Sequence, residues 1–165
     1  MLLETARFGQ IEIDGDKLLR FRSGVPGLEE YRVFAVLRFE ESHPIMWLQS
    51  AEEPRVSLPV IDPFIIKPDY VFDISDEDAA ELGLLGADEV QALSVLVIPE
   101  KMEDMTVNFA APVVINTRTG DSKQLILGGD AHAARVPVFL DIARYLREES
   151  AERGGADADP VEKDK

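Results

Sequence analysis

The sequence predicts a mainly β protein, either a sandwich or a closed barrel, with one short helix and a C-terminal amphipathic helix. The first two-thirds of the 165 residues alternates short apolar runs with Gly, Pro and Asp, which is typical of many short strands. Near the C-terminus the apolar spacing changes to that of a helix. The length favours one domain, and a composition of 45% hydrophobic and 30% charged residues supports a real core.

The N-terminal part predicts a β-hairpin. The dipeptide Asp14-Gly15 lies between two candidate strands, residues 11–13 and 16–21, and it favours the positive φ angles of a type I′ turn. The resulting register places Glu12 opposite Lys17, a favourable charge pair.

Further strands follow at similar spacing. Residues 31–39 alternate apolar and polar positions, the period-2 pattern of a half-buried strand. Pro59 has no N–H, so the strand over 56–61 is expected at a sheet edge or with a bulge. The other predicted strands cover residues 45–50, 90–98, 106–110, 112–117 and 123–127, with a turn at 119–121 between the last two.

One short helix is predicted after the central strands. Ser75 and Asp78 resemble a capping box, although Asp replaces the usual Glu or Gln. The helix should cover residues 76–82 and end at Gly83.

The C-terminal helix is predicted from Pro137, which suits a first helical position. Apolar residues at 138, 142, 145 and 146 then lie on one face, as far as about Arg153. We therefore expect residues 1–153 to form a single domain. Residues 154–165 have little apolar content and are expected to be a disordered acidic tail.

The chain is strongly acidic, with 17 Lys+Arg against 32 Asp+Glu and a net charge of −15. Nucleic-acid binders draw non-specific affinity from basic residues that neutralise phosphates, so this surface should repel RNA, DNA and anionic lipid. It should attract basic partners, or simply keep the protein soluble. The segment from Glu148 holds seven acids and three bases, a net of −4, so −11 remains on residues 1–147.

Several classes of protein are not expected. The chain has no Cys, which excludes disulfides, thiolate metal sites and a cysteine nucleophile. Its first residues lack the pattern of a signal peptide, and no apolar run approaches the length of a membrane span. A cytoplasmic location is therefore expected.

No motif predicts catalysis, a metal or a cofactor. His43 and His132 are the only histidines and have no carboxylates at ligand spacing, so both are expected to be solvated loop residues. No serine lies in a Gly-x-Ser-x-Gly elbow, and no glycine-rich segment has the context of a phosphate loop.

Two segments leave a choice between structure and partner binding. Residues 45–50 contain the only Trp, followed by Gln49, and residues 99–108 join an acidic, Met-bearing loop to a strand that contains Asn108. A buried Trp with a bonded N–H is routine, whereas Met-bearing surfaces repack readily against partners. Both interpretations stay open for each segment.

Five stretches, taken in order, resemble a known family, the flagellar assembly factors of the FliW type. They are residues 21–28 (FRSGVPGL), 47–50 (WLQS), 60–63 (VIDP), 99–100 (PE) and 105–116 (MTVNFAAPVVIN). The resemblance covers roughly residues 8–137. It implies a small antiparallel β-barrel or pseudobarrel without catalytic activity.

The resemblance also implies a function in flagellum biogenesis. Such proteins bind flagellin in the cytoplasm, and they bind the carbon storage regulator, an RNA-binding repressor of flagellin translation. When secretion depletes flagellin, the released factor sequesters the repressor and translation resumes.

We expect this chain to be a monomeric partner-binding protein of that kind, with no direct nucleic-acid contact. From motif position and residue type, the expected partner-binding residues are Gln49, Glu103, Asp104, Asn108 and Asn116. The acids would meet basic side chains, and the amides would bond exposed backbone at a strand edge. The alternative is a small-ligand or flavin-binding β-barrel, which would need basic residues for a phosphate.

Overall fold

A computed structural model describes residues 1–128 and 132–155. Its strands and helices are, in chain order, β1 (Leu2–Thr5), β2 (Gly9–Glu12), β3 (Leu19–Phe21), β4 (Val33–Arg38), β5 (Met46–Ser50), β6 (Ser57–Ile61), α1 (Pro63–Ile66), α2 (Asp76–Glu81), β7 (Val90–Val97), β8 (Thr106–Val107), β9 (Val113–Asn116), β10 (Asp121–Gln124), β11 (Val136–Pro137) and α3 (Phe139–Gly155). The predicted mainly β class with a C-terminal helix is confirmed.

Seven strands close into a barrel in the order β3-β4-β5-β6-β7-β9-β10. Neighbouring strands are antiparallel except β3 and β10, which are parallel and close the ring. Gly120 makes this closure possible. Its φ is +85°, and a Cβ there would lie 2.7 Å from the carbonyl oxygen of Leu18, so a side chain would separate the two strands.

The predicted N-terminal hairpin is wrong. Asp14 caps a 3-10 turn over Gly15–Lys17, because its side chain accepts the Asp16 N–H. The strand before it pairs instead with β1, a strand that was not predicted, so Glu12 lies opposite Leu2 and not opposite Lys17. The Ile13 N–H donates to the Met1 carbonyl at 2.9 Å, which holds this second sheet together.

Pro59 does not lie on an edge strand, since β6 pairs with both β5 and β7. Its register partner on β5 is Trp47, whereas pairing with β7 involves only Val60 and Ile61. The missing N–H is therefore tolerated because Pro59 lies outside the short ladder with β7.

The short helix forms as predicted. The Ser75 hydroxyl accepts the Asp78 N–H at 3.1 Å, and Gly83 follows the helix with a φ of +64°, a conformation that favours glycine. The predicted strand over 106–110 ends at Val107, because the Asn108 side chain turns the backbone by accepting the Ala110 N–H.

The C-terminal helix starts later than predicted. Pro137 belongs to β11, and α3 begins at Phe139. Residues 156–165 of the predicted acidic tail lie outside the described residues.

The two largest of four apolar clusters in the described part of the chain support this architecture. Side chains such as Phe21 and Phe34 fill the barrel interior. The two rings pack edge to face, with their centroids 5.3 Å apart. A second core lies under α3, where Val138 and Ile142 are buried with Met105. Apolar burial of this kind is the main stabilising contribution to folding.

Candidate partner-binding surface

Three strands extend beyond the barrel wall and expose one face. β7 pairs with β8, and β8 pairs with β11, so that Val97, Thr106 and Pro137 form one cross-strand row. Val97 is 59% exposed, whereas the neighbouring Leu96 is buried. Because successive side chains of a strand point to opposite faces, one face of this extension joins the core and the other meets solvent.

An acidic turn connects β7 and β8 beside that face. The turn is the 3-10 segment Met102–Asp104, and its three side chains are exposed. The Met105 N–H donates to the Met102 carbonyl at 3.1 Å, and the Met105 side chain is buried. The buried Met105 side chain thus anchors the turn to the core, while Glu103 and Asp104 remain accessible to solvent.

The residue that precedes α3 also contacts the end of the turn. The Val138 N–H donates to the Met105 carbonyl at 3.2 Å. On the next residues of the helix, Leu140 is 79% exposed. The acidic turn and the exposed row therefore belong to one structural unit, which we call the 97–106 face and define by Val97, Thr106 and the turn Met102–Asp104.

The two acids of this face are available to charged partners. Within the described residues, neither Glu103 nor Asp104 lies in an ion pair. Asn108, also predicted to bind a partner, is half-buried at the end of β8. Its N–H donates to the Val95 carbonyl at 3.0 Å, so its backbone is committed to the sheet.

Gln49 and Asn116 lie elsewhere, and both are completely buried. The Gln49 amide donates to the Pro54 carbonyl at 3.2 Å, which closes the loop between β5 and β6. The Asn116 side chain accepts the Arg118 N–H at 2.9 Å. The structure therefore does not bring these two amides to the surface with Glu103 and Asp104.

A sequence signal for the role of Asn116 was present. It directly precedes the Thr-Arg-Thr-Gly turn, and Asn commonly begins a turn by accepting a backbone N–H two residues later.

Both histidines lie outside strands and helices, as predicted; His43 is exposed, whereas His132 is half-buried, and each ring has a hydrogen-bonding partner. Nε2 of His43 lies 3.0 Å from the Glu149 carboxylate, which also accepts the Tyr145 hydroxyl at 3.1 Å. Nε2 of His132 lies 2.7 Å from the Val71 carbonyl. Among the residues that the structure describes, no group of three His, Asp or Glu side chains could hold a metal ion.

A partly buried ion cluster fastens α2 to the barrel. Nζ of Lys123 on β10 lies 2.7 Å from Asp78 and 2.8 Å from Glu81. The hydrogen bond from Lys123 holds the pKa of each carboxyl below its usual range. Ser23 adds a hydrogen bond to Glu81 at 2.9 Å.

The fold and this geometry define a class: a small closed β-barrel with a filled lumen and a candidate site on its surface. No helix in the described part of the chain is both long and apolar enough to cross a membrane.

Comparison with known proteins gives the family. The family model described as FliW protein matches residues 2–138. A flagellar assembly factor FliW of Thermosipho africanus is 43% identical over 122 residues, covering 73% of this chain and 84% of that protein. One of Alkaliphilus metalliredigens is 32% identical over 162 residues, covering 95% of this chain and 100% of that protein.

A crystal structure of the flagellar assembly factor FliW superposes with a TM-score of 0.78 at 31% identity, covering 84% of this chain and 97% of that one. The chain therefore belongs to the FliW family of flagellar assembly factors.

Proposed function

We propose that this protein binds flagellin in the cytoplasm and, when free of flagellin, binds and antagonises the carbon storage regulator, so that flagellin translation resumes. The observation that carries the proposal is an acidic surface on a member of this family, with 32 acids against 17 bases. The repressor binds RNA and must therefore present basic surface. Opposite charge favours encounter between the two proteins.

The 97–106 face is the proposed contact region for the repressor. Glu103 and Asp104 are exposed and unpaired within the described residues, so they are available to basic side chains. The apolar Val97 lies on the same structural unit. Interfaces commonly combine a desolvated apolar centre with a polar rim.

Antagonism follows from charge rather than from occupation of the RNA site. Acids docked near the basic surface repel the RNA phosphates. Two unit charges 4 Å apart interact by about 1 kcal/mol in water and about 4 kcal/mol near a protein surface. Several such charges together would lower RNA affinity tenfold or more.

The remaining predicted contacts have different proposed roles. Asn108 borders the 97–106 face and is proposed as a direct contact. Gln49 and Asn116 are buried, so they are proposed to act through the loops they hold. We also propose a monomer, with residues 1–153 as its single domain.

The test is co-precipitation with purified partners. The full chain, immobilised through a C-terminal tag, should retain flagellin and, separately, the carbon storage regulator. Added flagellin should reduce the amount of repressor retained. If the chain retains neither partner under low-salt conditions, the proposal is wrong.

A further inference from the structure

A second apolar surface is formed by parts of the chain that precede the acidic turn. These parts are α1, the segment after it and the start of β7. It is an open groove of about 550 Å³. Its apolar lining includes Phe64, Phe72, Ile74, Leu84, Leu85 and Val90. Phe64 is 43% exposed and Leu85 is 81% exposed, so large apolar side chains meet solvent on its walls. We call it the 64–92 groove.

The groove is held open by local contacts on both sides. Asp62 caps α1 by accepting the Phe64 N–H at 2.9 Å, and the Phe64 ring lies 5.9 Å from that of buried Tyr70.

On the other wall, the Leu85 N–H donates to Glu89 at 2.8 Å, and the Leu84 N–H donates to the Ala79 carbonyl at 3.0 Å. A surface organised in this way needs little ordering when a ligand binds.

Negative charge is concentrated in the chain segment that supplies most of the groove's lining residues. Residues 62–90 contain nine acids and one base, 1 − 9 = −8, which is more than half of the total of −15. Asp73 lies in the groove wall. Asp88 lies at the rim, since its Oδ1 is 2.8 Å from where a Cβ on the lining residue Gly86 would stand.

Part of this charge is already compensated, and part is not. Glu89 pairs with Arg118, and Lys123 neutralises the two carboxylates at the end of α2. Within the described residues, Asp73 and Asp88 have no ion pair. The groove therefore has two acids, Asp73 and Asp88, whose charge no such ion pair compensates.

The charge decides between possible occupants. Residues 156–165 of this chain hold four acids and two bases, a net of −2, and a second copy carries −15. Both would be repelled by the acidic rim. A segment with an apolar stripe and basic neighbours matches the apolar lining and the rim together, in the helix-in-groove mode of recognition.

We propose that the 64–92 groove docks a basic amphipathic segment of a partner protein. Its apolar side chains cover Phe64 and Leu85, and its Lys or Arg side chains pair with Asp73 and Asp88. This second docking surface uses none of the residues proposed above for the repressor contact.

The experiment measures binding of a synthetic probe to the full chain by fluorescence anisotropy. The probe is a labelled helical peptide of about four turns with Leu on one face and Lys on the other. A second peptide has the same composition in scrambled order, without the stripe. A third has Glu in place of Lys. The striped basic peptide should bind more tightly than both.

Two substitutions at exposed positions test whether the peptide binds in the groove, and each has a matched control. Leu85→Ser removes apolar surface in the groove, and Leu2→Ser does so on β1, where Leu2 is 57% exposed. Asp73→Lys reverses a rim charge, and Glu148→Lys makes the same charge change on the exposed side of α3. The groove variants should weaken binding about fivefold or more, and the controls less than twofold.

Two results would overturn the proposal. One is equal affinity for the striped and scrambled peptides, which indicates non-specific attraction to an acidic protein. The other is equal affinity of the groove variants and their controls. Because flagellin and the repressor are absent from this assay, its failure is distinguishable from failure of the proposed function.

Discussion

The side-chain amide of Asn116 donates a hydrogen bond of 2.8 Å to the backbone carbonyl of Leu82, 34 residues earlier in the chain. Both residues are buried, at 0% and 1% exposure. The bond joins the end of β9 to the residue that directly follows α2. The side-chain oxygen of Asn116 accepts the Arg118 N–H. One side chain therefore organises both the end of the helix and the turn into β10.

Replacing this amide should destabilise the fold. Asn116→Leu leaves the Leu82 carbonyl and the Arg118 N–H without their partner, and unpaired buried polar groups cost about 1–3 kcal/mol each. We expect the free energy of unfolding to fall by about 2–6 kcal/mol on this basis. Urea unfolding followed by circular dichroism measures it, with exposed Gln10→Leu as the control. An unchanged urea midpoint would contradict this role.

Charge reversal on the acidic turn should weaken repressor binding. Glu103→Lys with Asp104→Lys places two positive charges where the proposed partner is basic, and we expect about tenfold or greater loss of affinity. Titration calorimetry with the purified carbon storage regulator measures the change. Glu148→Lys with Glu152→Lys alters the net charge equally on exposed positions of α3. Equal affinities of the two double variants would refute the assignment.

Salt should weaken the antagonism of RNA binding. Screening shortens the reach of charges to about 10 Å at 0.1 M and about 3 Å at 1 M ionic strength. We therefore expect the shift in repressor–RNA affinity caused by this protein to shrink as salt rises, measured at saturating protein. Inhibition that is unchanged from low to high salt would remove the electrostatic mechanism.

Acid should destabilise the link between α2 and the barrel. Lys123 lowers the pKa of Asp78 and Glu81 in the folded state. Their stabilising contribution is therefore present above the unfolded pKa values and is lost as pH falls through the lower, folded ones. We expect the melting temperature to decrease once the pH is lower than about 5.

Lys123→Met tests this pH dependence. It leaves two partly buried carboxylates without a cation, so the variant should be less stable at pH 7. Its melting temperature should also change less than that of the wild type as pH falls, because the main cause of the lowered pKa values is gone. Lys67→Met removes the exposed pair with Asp69 and serves as control. Parallel pH profiles for wild type and Lys123→Met would contradict this account.

The elements that sequence predicted well depend on local interactions. The Ser75 cap and the positive φ of Gly83 are decided within one helical turn. The alternation over residues 31–39 likewise requires only that one strand face be buried, and β4 forms there.

The failures involve distant partners. Asp14-Gly15 is compatible with a tight hairpin turn and also with a 3-10 turn. In the folded protein the Met1 carbonyl accepts the Ile13 N–H and β2 pairs with β1, so the strand before the turn has its partner outside residues 11–21. No pattern within residues 11–21 contains that information.

At the candidate site, residue types set the chemistry, and the fold sets where that chemistry meets solvent. Net charge, the acidic turn and the amide residues follow directly from residue type. An amide such as Asn116 needs hydrogen-bond partners wherever it lies, so residue type cannot say whether its own backbone or another protein supplies them. Folding decided this, because closing the barrel buried Asn116 and Gln49 while it left Glu103 and Asp104 in solvent.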